Sequence, residues 1–238
     1  MPLNLLEIVQ NARGRLGQPI PTSVAGNSDP GIIQSLGLLN EFLEDLLIRK
    51  YWQGTTREAT FLSVAVANQG ELSTLFPFGY EGIIPDTFYN RTRQLEVIGG
   101  LPAESWQARQ AFNISGPIPS FRIRNNQLLF SPVPVAGETY ACEYYSSYFV
   151  YGSSDLTYRK YLLRDTDICI VDDALPIAYL KWAWGKAKGL DYAEDFRKYE
   201  NMVESRGLRD SRPPVLSMSD ANECFSPGVF VSPGSWPL

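Results

Sequence analysis

Residues 172–190 read Asp-Asp-Ala-Leu-Pro-Ile-Ala-Tyr-Leu-Lys-Trp-Ala-Trp-Gly-Lys-Ala-Lys-Gly-Leu, and the rest of the chain can be organised around them. Large side chains recur in this stretch at helical spacing, at Leu175, Tyr179 and Trp182. Asp172 and Asp173 precede the run as candidate N-caps, and Gly189 is a typical helix stop. The stretch therefore predicts a helix between the two aspartates and Gly189.

A second helix is predicted directly after the first and runs to about Arg206. One stripe of this helix carries Tyr192, Phe196, Tyr199 and Val203. Because the link between the two amphipathic helices is short, the pair favours an antiparallel helical hairpin.

Two further helices are predicted near the start of the sequence. Residues 1–17 keep a largely apolar face, whereas residues 18–30 form a loop rich in proline and serine with no periodic pattern. A longer helix is predicted for residues 29–51, with Asp29 as its cap and Pro30 at its first position.

The middle of the chain carries extended patterns instead. Residues 58–67 and 139–151 alternate in the manner of strands, and residues 120–131 indicate a hairpin that turns at Asn125 and Asn126. The order of helices, strands and helices predicts an α+β fold. We expect a helical bundle, formed by the N-terminal helices and the C-terminal hairpin, with an inserted small antiparallel β domain and an extended C-terminal tail.

This interpretation divides the chain into three parts. Residues 1–54 and 155–210 form the predicted helical body, residues 55–154 the β-rich insertion, and residues 211–238 the extended C-terminal arm.

Composition excludes several classes of function. The net charge is −5 over 238 residues and the pI is near 4.9, which argues against a general nucleic-acid-binding surface. There is no histidine, so Ser–His–Asp and Cys–His catalysis are excluded. Three widely spaced cysteines, Cys142, Cys169 and Cys224, fit free thiols in a reducing compartment. We expect no enzymatic activity, cofactor or metal, and neither a transmembrane helix nor a secretory signal.

The densest acid cluster consists of Asp165, Asp167, Asp172 and Asp173. Such a group is a candidate divalent-cation or carboxylate-pair site. However, no Asp-x-Asp-x-Asp-Gly loop is present, and Asp172 and Asp173 suit helix capping. A structural role is therefore the favoured interpretation.

Two other groups have alternative interpretations. The aromatic residues between 140 and 158 could form a stacking platform, but basic residues do not interleave with them, so a sheet core or a subunit contact is favoured. Two Arg-x-Arg pairs indicate either solvated strand faces or intersubunit ion pairs: Arg91 with Arg93, and Arg122 with Arg124.

Residues 211–238 carry features that a solvated linker would not need. Prolines recur without any helical period, yet the segment holds large apolar residues that would gain about 1.5–3 kcal/mol each on burial. Such spacing suits a segment that orders along another protein. The predicted partner-binding residues are Phe225, Val229, Phe230 and Trp236.

Several segments, in this order and spacing, match a known pattern. They are residues 5–16, the leucine-rich helix of residues 29–52, Glu58-Ala-Thr-Phe61, Ile84-Pro-Asp86, Pro102-Ala-Glu-Ser-Trp106, the strand pair of residues 121–134, Tyr140-Ala-Cys-Glu-Tyr-Tyr145, and the helix pair with Ala174-Leu-Pro-Ile-Ala178 and Ala193-Glu-Asp-Phe-Arg-Lys-Tyr199. Together they resemble the head-to-tail adaptor (head-completion or connector) proteins of tailed bacteriophages, particularly of short-tailed phages. The segment 76–82 has no counterpart in that pattern.

The resemblance implies a function and a set of partners. Adaptors of this kind form rings, commonly of twelve copies, beneath the portal of a DNA-filled capsid. The ring extends the DNA channel and presents a platform for tail or nozzle proteins, and the C-terminal segment clasps the portal or adjacent subunits. We therefore expect a virion neck protein made in the host cytoplasm, which lets DNA pass without sequence-specific binding and contacts no membrane.

Two alternatives stay open at this point. One is a carboxylate-dependent hydrolase of the virion that uses Asp165, Asp167, Asp172 or Asp173. The other is a different tail-completion or minor capsid protein with another ring order.

Overall fold

A computed structural model describes residues 2–112, 116 and 118–210 of the chain. Within these residues the chain forms six α-helices: α1 (Leu5–Arg15), α2 (Pro30–Arg49), α3 (Leu72–Leu75), α4 (Ala103–Ala111), α5 (Ala174–Ala187) and α6 (Ala193–Asp210). Helices α1 and α2 begin at capping residues that can be recognised in the sequence. Asn4 and Glu7 form a reciprocal capping box on α1. Asp29 accepts from the Gly31 amide at the start of α2, as predicted.

Twelve strands in the described residues form three sheets. The strands are β1 (Thr56–Leu62), β2 (Asn68–Glu71), β3 (Gly82–Ile83), β4 (Tyr89–Asn90), β5 (Leu95–Glu96), β6 (Ile98–Gly99), β7 (Ser120–Arg124), β8 (Gln127–Ser131), β9 (Thr139–Tyr145), β10 (Val150–Gly152), β11 (Thr157–Arg159) and β12 (Asp167–Cys169). One sheet has the order β1-β9-β4-β5 with β3 also on β9, the second β11-β10-β12, and the third β2-β8-β7-β6. All pairs are antiparallel except β6 with β7.

Helices α5 and α6 form the predicted antiparallel hairpin. Lys181 pairs with Asp195 close to the turn, and Arg206 pairs with Asp172 at the far end. The hairpin packs on α1 and α2 through aromatic side chains. The Phe42 ring of α2 lies 5.2 Å from Tyr179, which contacts Tyr199 at 5.3 Å.

A second core lies between the first and third sheets. Its largest members are buried aromatic residues of β8, β9 and the segment before β4: Phe130, Tyr140, Tyr144 and Phe88. The Phe130 and Tyr140 rings lie 4.9 Å apart. The β7–β8 hairpin turns at Asn125 and Asn126, both with positive φ, which confirms the predicted hairpin.

The prediction of a helical bundle with one small inserted antiparallel β domain is wrong. The chain is α+β, but three sheets of antiparallel and mixed strands make it richer in strand than that description allows. Strands β3 to β6 have only two residues each, so they carry no readable period. Strands β11 and β12 lie within residues 155–210, which were expected to be helical, and Cys169 of β12 joins the helical core.

The division of the chain into body, insertion and arm stays a prediction. The extended tail of residues 211–238 lies outside the described residues.

Candidate docking surface

All four residues of the acid cluster bind groups of the fold itself. Asp165 accepts hydrogen bonds from the Val24 and Ala25 amides at 2.9 and 2.7 Å and so holds the N-terminal loop. Asp173 accepts from the Leu3 amide at 3.0 Å, and Asp172 accepts from the Ala174 amide and pairs with an arginine of α6. Of the two predicted caps, therefore, only Asp172 caps α5, because the Asp173 side chain makes no capping bond to the helix.

Asp167 is the most enclosed of these acids. Its side chain is 0 % exposed and lies 2.9 Å from the Arg159 guanidinium. It also accepts from the amides of Leu163 and Arg164 at 2.8 and 2.9 Å. These bonds use both carboxylate oxygens to shape the loop before β12, so the structural interpretation of the cluster is the one that the geometry favours. Within the described chain no group of three metal-ligating side chains is assembled.

The aromatic strand of the sequence is largely core. Tyr140 and Tyr144 are buried between the sheets, where desolvation raises the pKa of each phenol above its ordinary value. Tyr145 faces outward and stacks on Tyr51, with ring centroids 4.1 Å apart. The sheet-core interpretation therefore holds for the two buried tyrosines.

The two Arg-x-Arg pairs have different surroundings. Arg91 pairs with Glu58, and Arg93 pairs with Glu138, so both find their partners within the same subunit. Arg122 makes one long hydrogen bond, at 3.5 Å, to the Leu101 carbonyl. The first pair is thus accounted for without an intersubunit contact.

Two cysteines lie in the described part of the chain, and neither is disulfide-bonded. Burial raises the pKa of both thiols, Cys142 and Cys169, to about 12. A thiol must lose its proton to act as a nucleophile, so Cys142 and Cys169 are unreactive at neutral pH.

We expect iodoacetamide at pH 8 to leave Cys142 and Cys169 unmodified in the native protein and to modify both after denaturation. A Cys224→Ser variant removes the remaining thiol, so its native form should show no fast-reacting cysteine by mass spectrometry. Rapid stoichiometric alkylation of Cys142 in that variant would contradict the buried setting described above.

A cluster of exposed aliphatic side chains lies at one end of the β-rich half. We call it the apolar tip, and it comprises Leu62, Val64, Val66, Val133 and Val135. These side chains are 46–67 % exposed. Leu62 is the last residue of β1, and the four valines lie on two loops that contact one another, one after β1 and one after β8. Adjacent exposed aliphatic residues of this kind are typical of protein contact sites.

Ser63 joins the two loops of the apolar tip. Its buried hydroxyl donates to the Val135 carbonyl at 2.5 Å and accepts from the Glu138 amide at 3.1 Å. Its backbone amide donates to the Glu138 carbonyl at 2.9 Å, and its carbonyl accepts from Gly137. Four hydrogen bonds at one residue fix the relative position of the loops.

Gln69 fixes the first loop from inside. Its amide oxygen accepts from the Val64 amide at 3.0 Å, and its amide nitrogen donates to the Val64 and Val66 carbonyls. At the base, the buried Glu138 accepts from Asn90 at 2.7 Å and pairs with an arginine. The valine side chains therefore project from a backbone that is already ordered, which lowers the entropy cost of binding a partner.

The apolar tip was not predicted from the sequence. Its valines occupy one face of the predicted strand 58–67, and the alternation alone did not say which face would be covered. Val133 and Val135 alternate with prolines, which place them on a loop, and two exposed valines between prolines were the signal that could have been used.

The predicted partner-binding residues, Phe225, Val229, Phe230 and Trp236, lie outside the described residues. The described chain reaches Asp210, whose carboxylate accepts from the Gln53 amide at 2.6 Å. Asp210, the last described residue, therefore lies beside the junction of α2 and β1.

No protein-family model matches the chain, and no curated protein matches it. The adaptor resemblance therefore stays a prediction. In the part of the chain that the structure describes, no helix is long and apolar enough to cross a membrane.

Proposed function

We propose that the chain is a structural adaptor of a phage virion. It would form a ring, dodecameric by the resemblance, that joins the portal protein to the tail or nozzle proteins and extends the DNA channel. The proposal places the protein in the virion neck after its synthesis in the host cytoplasm, with no enzymatic activity and no cofactor.

The observation that carries the proposal is the apolar tip. Five aliphatic side chains are exposed at the end of β1 and on two loops that Ser63 and Gln69 hold in place. Covering half-exposed valines in a subunit contact would gain about 1 kcal/mol each, and a ring repeats that gain at every interface. An exposed apolar surface is expected of a protein that functions by binding other subunits.

The acid cluster supports the same choice over a carboxylate-dependent hydrolase. Each of its four members already binds a backbone amide or an arginine of the fold. The net charge of −5 also suits a channel through which DNA passes without being held.

Electron microscopy of the full-length chain mixed with the portal protein of the same phage tests the proposal. We expect a closed ring attached beneath the portal. The proposal would be contradicted if the chain formed no ring and bound no portal protein at micromolar concentrations of both proteins.

Deletion of residues 213–238 tests the role assigned to Phe225, Val229, Phe230 and Trp236. The truncated protein should lose attachment to the portal, because the proposed anchors are gone, and it should keep the far-UV circular dichroism of the full chain. A Leu156→Asp variant is the control, since that exposed leucine lies on the β10–β11 turn, outside the deleted segment. Normal attachment of the truncated protein would refute the role of the arm.

A further inference from the structure

The outer face of the first sheet has an unfavourable charge pattern. Strand β1 pairs with β9 so that Glu58 lies directly opposite Glu143. Both side chains point away from the aromatic core, because the alternating positions Ala59, Cys142 and Tyr144 belong to that core. Like charges at directly opposed positions, with β-carbons about 5 Å apart, destabilise a sheet. The isolated subunit therefore gains no stability from keeping both glutamates.

Within the described chain only one of these two glutamates is neutralised. Glu58 pairs with Arg91, which follows β4 on the other side of β9. Glu143 forms no ion pair with any described residue. The uncompensated charge of this sheet face therefore resides at Glu143.

A pair of stacked tyrosines lies beside Glu143 on the same face. Tyr145 is two residues further along β9, and its ring lies on that of Tyr51 with an angle of 6° between the ring planes. Tyr51 is 54 % exposed. Part of this aromatic surface is therefore open to a ligand.

The two tyrosines and Glu143 line a cleft of about 470 Å³. Ile84 adds an aliphatic contact to the cleft, and Asp210 adds a second carboxylate. Asp210 accepts from the Gln53 amide, but in the part of the chain that the structure describes it has no cationic partner either. An aromatic face beside two carboxylates is complementary to an organic cation.

The fold already contains a filled site of this composition. Where α2 meets α6, the Arg49 guanidinium lies 5.6 Å from the centre of the Tyr199 ring and pairs with Asp45 and Glu200, each at 2.7 Å. One tyrosine ring and two carboxylates hold one arginine there. The cleft at Tyr51 has the same ring and carboxylates, without a cation from the described residues.

A guanidinium suits this cleft better than an ammonium or a metal ion. The planar guanidinium stacks on aromatic rings and its fork of donors matches carboxylates, whereas an ammonium is a strongly hydrated point charge. Among residues 2–112, 116 and 118–210, no group of three metal-ligating side chains is present. A second copy of this chain would bring its own net charge of −5, so a different protein with a basic contact surface is the better source of the arginine.

We propose that this cleft binds an arginine side chain of a different protein. The guanidinium lies on the Tyr51 ring and pairs with Glu143 and Asp210, and the aliphatic stem contacts Ile84. The inference goes beyond the adaptor function and does not rest on it, because it requires only the subunit and a partner that presents an arginine.

Titration of the 15N-labelled full-length chain with N-acetylarginine amide, followed by NMR, tests the site. We expect saturable shifts of the amide signals of Tyr51, Glu143 and Tyr145, with a dissociation constant on the order of millimolar for so small a probe. N-acetylcitrulline amide, which has the same shape without the charge, and spermidine, a flexible polyamine, should each bind at least about tenfold more weakly. The absence of saturable shifts at these residues, or equal binding of either comparison compound, overturns the proposal.

A Glu143→Gln variant gives a second measurement with two readouts. It should bind N-acetylarginine amide at least about fivefold more weakly. Its midpoint of urea unfolding should be equal to or higher than that of the unchanged protein, because the like-charge contact with Glu58 is gone. Glu104→Gln removes an exposed charge from α4 and is the matched control, which should change neither readout.

Two results from Glu143→Gln would overturn the proposal. A lower unfolding midpoint would show that Glu143 already pairs with a cation of its own chain. Weaker self-association in sedimentation would show that the arginine belongs to a second copy and not to a different protein.

This proposal and the adaptor function can fail separately. Rings beneath the portal from a chain that binds no arginine probe would remove the cleft site and leave the adaptor function standing. Binding of the probe by a chain that forms no ring and binds no portal protein would do the reverse.

Discussion

The Asp167→Ala variant should lose about 2–4 kcal/mol of unfolding free energy, because two backbone amides lose their acceptor at about 1–3 kcal/mol each. Asp167 is fully buried, and its removal would take away one of the two carboxylate partners of the Arg159 guanidinium, which keeps its pair with Asp155. The Leu163 and Arg164 amides would lose their acceptor at the same time. Since whole domains are stable by only about 5–15 kcal/mol, a loss of this size should lower the unfolding midpoint sharply.

Urea denaturation followed by circular dichroism measures this loss. Glu194→Ala is the control, because its pairs with Arg197 and Lys198 are exposed and should be worth less than about 1 kcal/mol. Equal stability losses in the two variants would mean that the buried pair does not hold the loop before β12. Asp167→Asn should fall between them, since the amide oxygen keeps one acceptor but carries no charge.

The long helices could be predicted from the sequence because of where their signals lie. Their signals are local: a cap, an apolar stripe and a stop all lie within one helix, as in α2 with Asp29 and in α5 with Gly189. The sheets depend on partners far along the chain. Strand β9 pairs with β1 and β4, which lie some fifty to eighty residues away, and β4 is two residues long. No window of sequence contains that pairing information.

The acid cluster shows a similar limit. Four aspartates close in sequence suggested a shared site. In the structure, however, Asp165 accepts a hydrogen bond from the N-terminal loop and Asp167 pairs with Arg159. Spacing gave the capping role of Asp172 correctly, because a cap is a local feature. Asp165 and Asp173 bind backbone amides near the start of the chain, far away in sequence, whereas Asp167 binds residues only three to eight positions before it.

The apolar tip could not be located from sequence because exposure is decided by what else packs nearby. Both faces of β1 carry apolar residues, and the aromatic core covers the face with Ala59 and Phe61. The face with Leu62 is left open in the subunit, and the loop that follows presents Val64 next to Val135. If the adaptor proposal is right, this open face is covered only when copies or partners assemble.

The second large effect follows from that open face: Val64→Asp with Val135→Asp should prevent assembly of the ring on the portal. A carboxylate placed in a dry apolar contact loses its hydration, and two such charges at about 2 kcal/mol each would weaken every interface roughly a thousandfold. The subunit itself should be unaffected, because both side chains are already about half exposed and the bonds to Ser63 and Gln69 involve backbone atoms of the valines.

Negative-stain microscopy of the portal mixture and thermal unfolding of the isolated chain measure the two halves of this prediction. We expect no rings, while the unfolding free energy changes by less than about 0.5 kcal/mol, as is usual for exposed positions. Leu156→Asp places the same charge on an exposed aliphatic residue away from the apolar tip and should assemble normally. Normal rings from the double variant would show that the apolar tip faces solvent in the assembly, because a ring interface there could not accept two buried carboxylates per subunit.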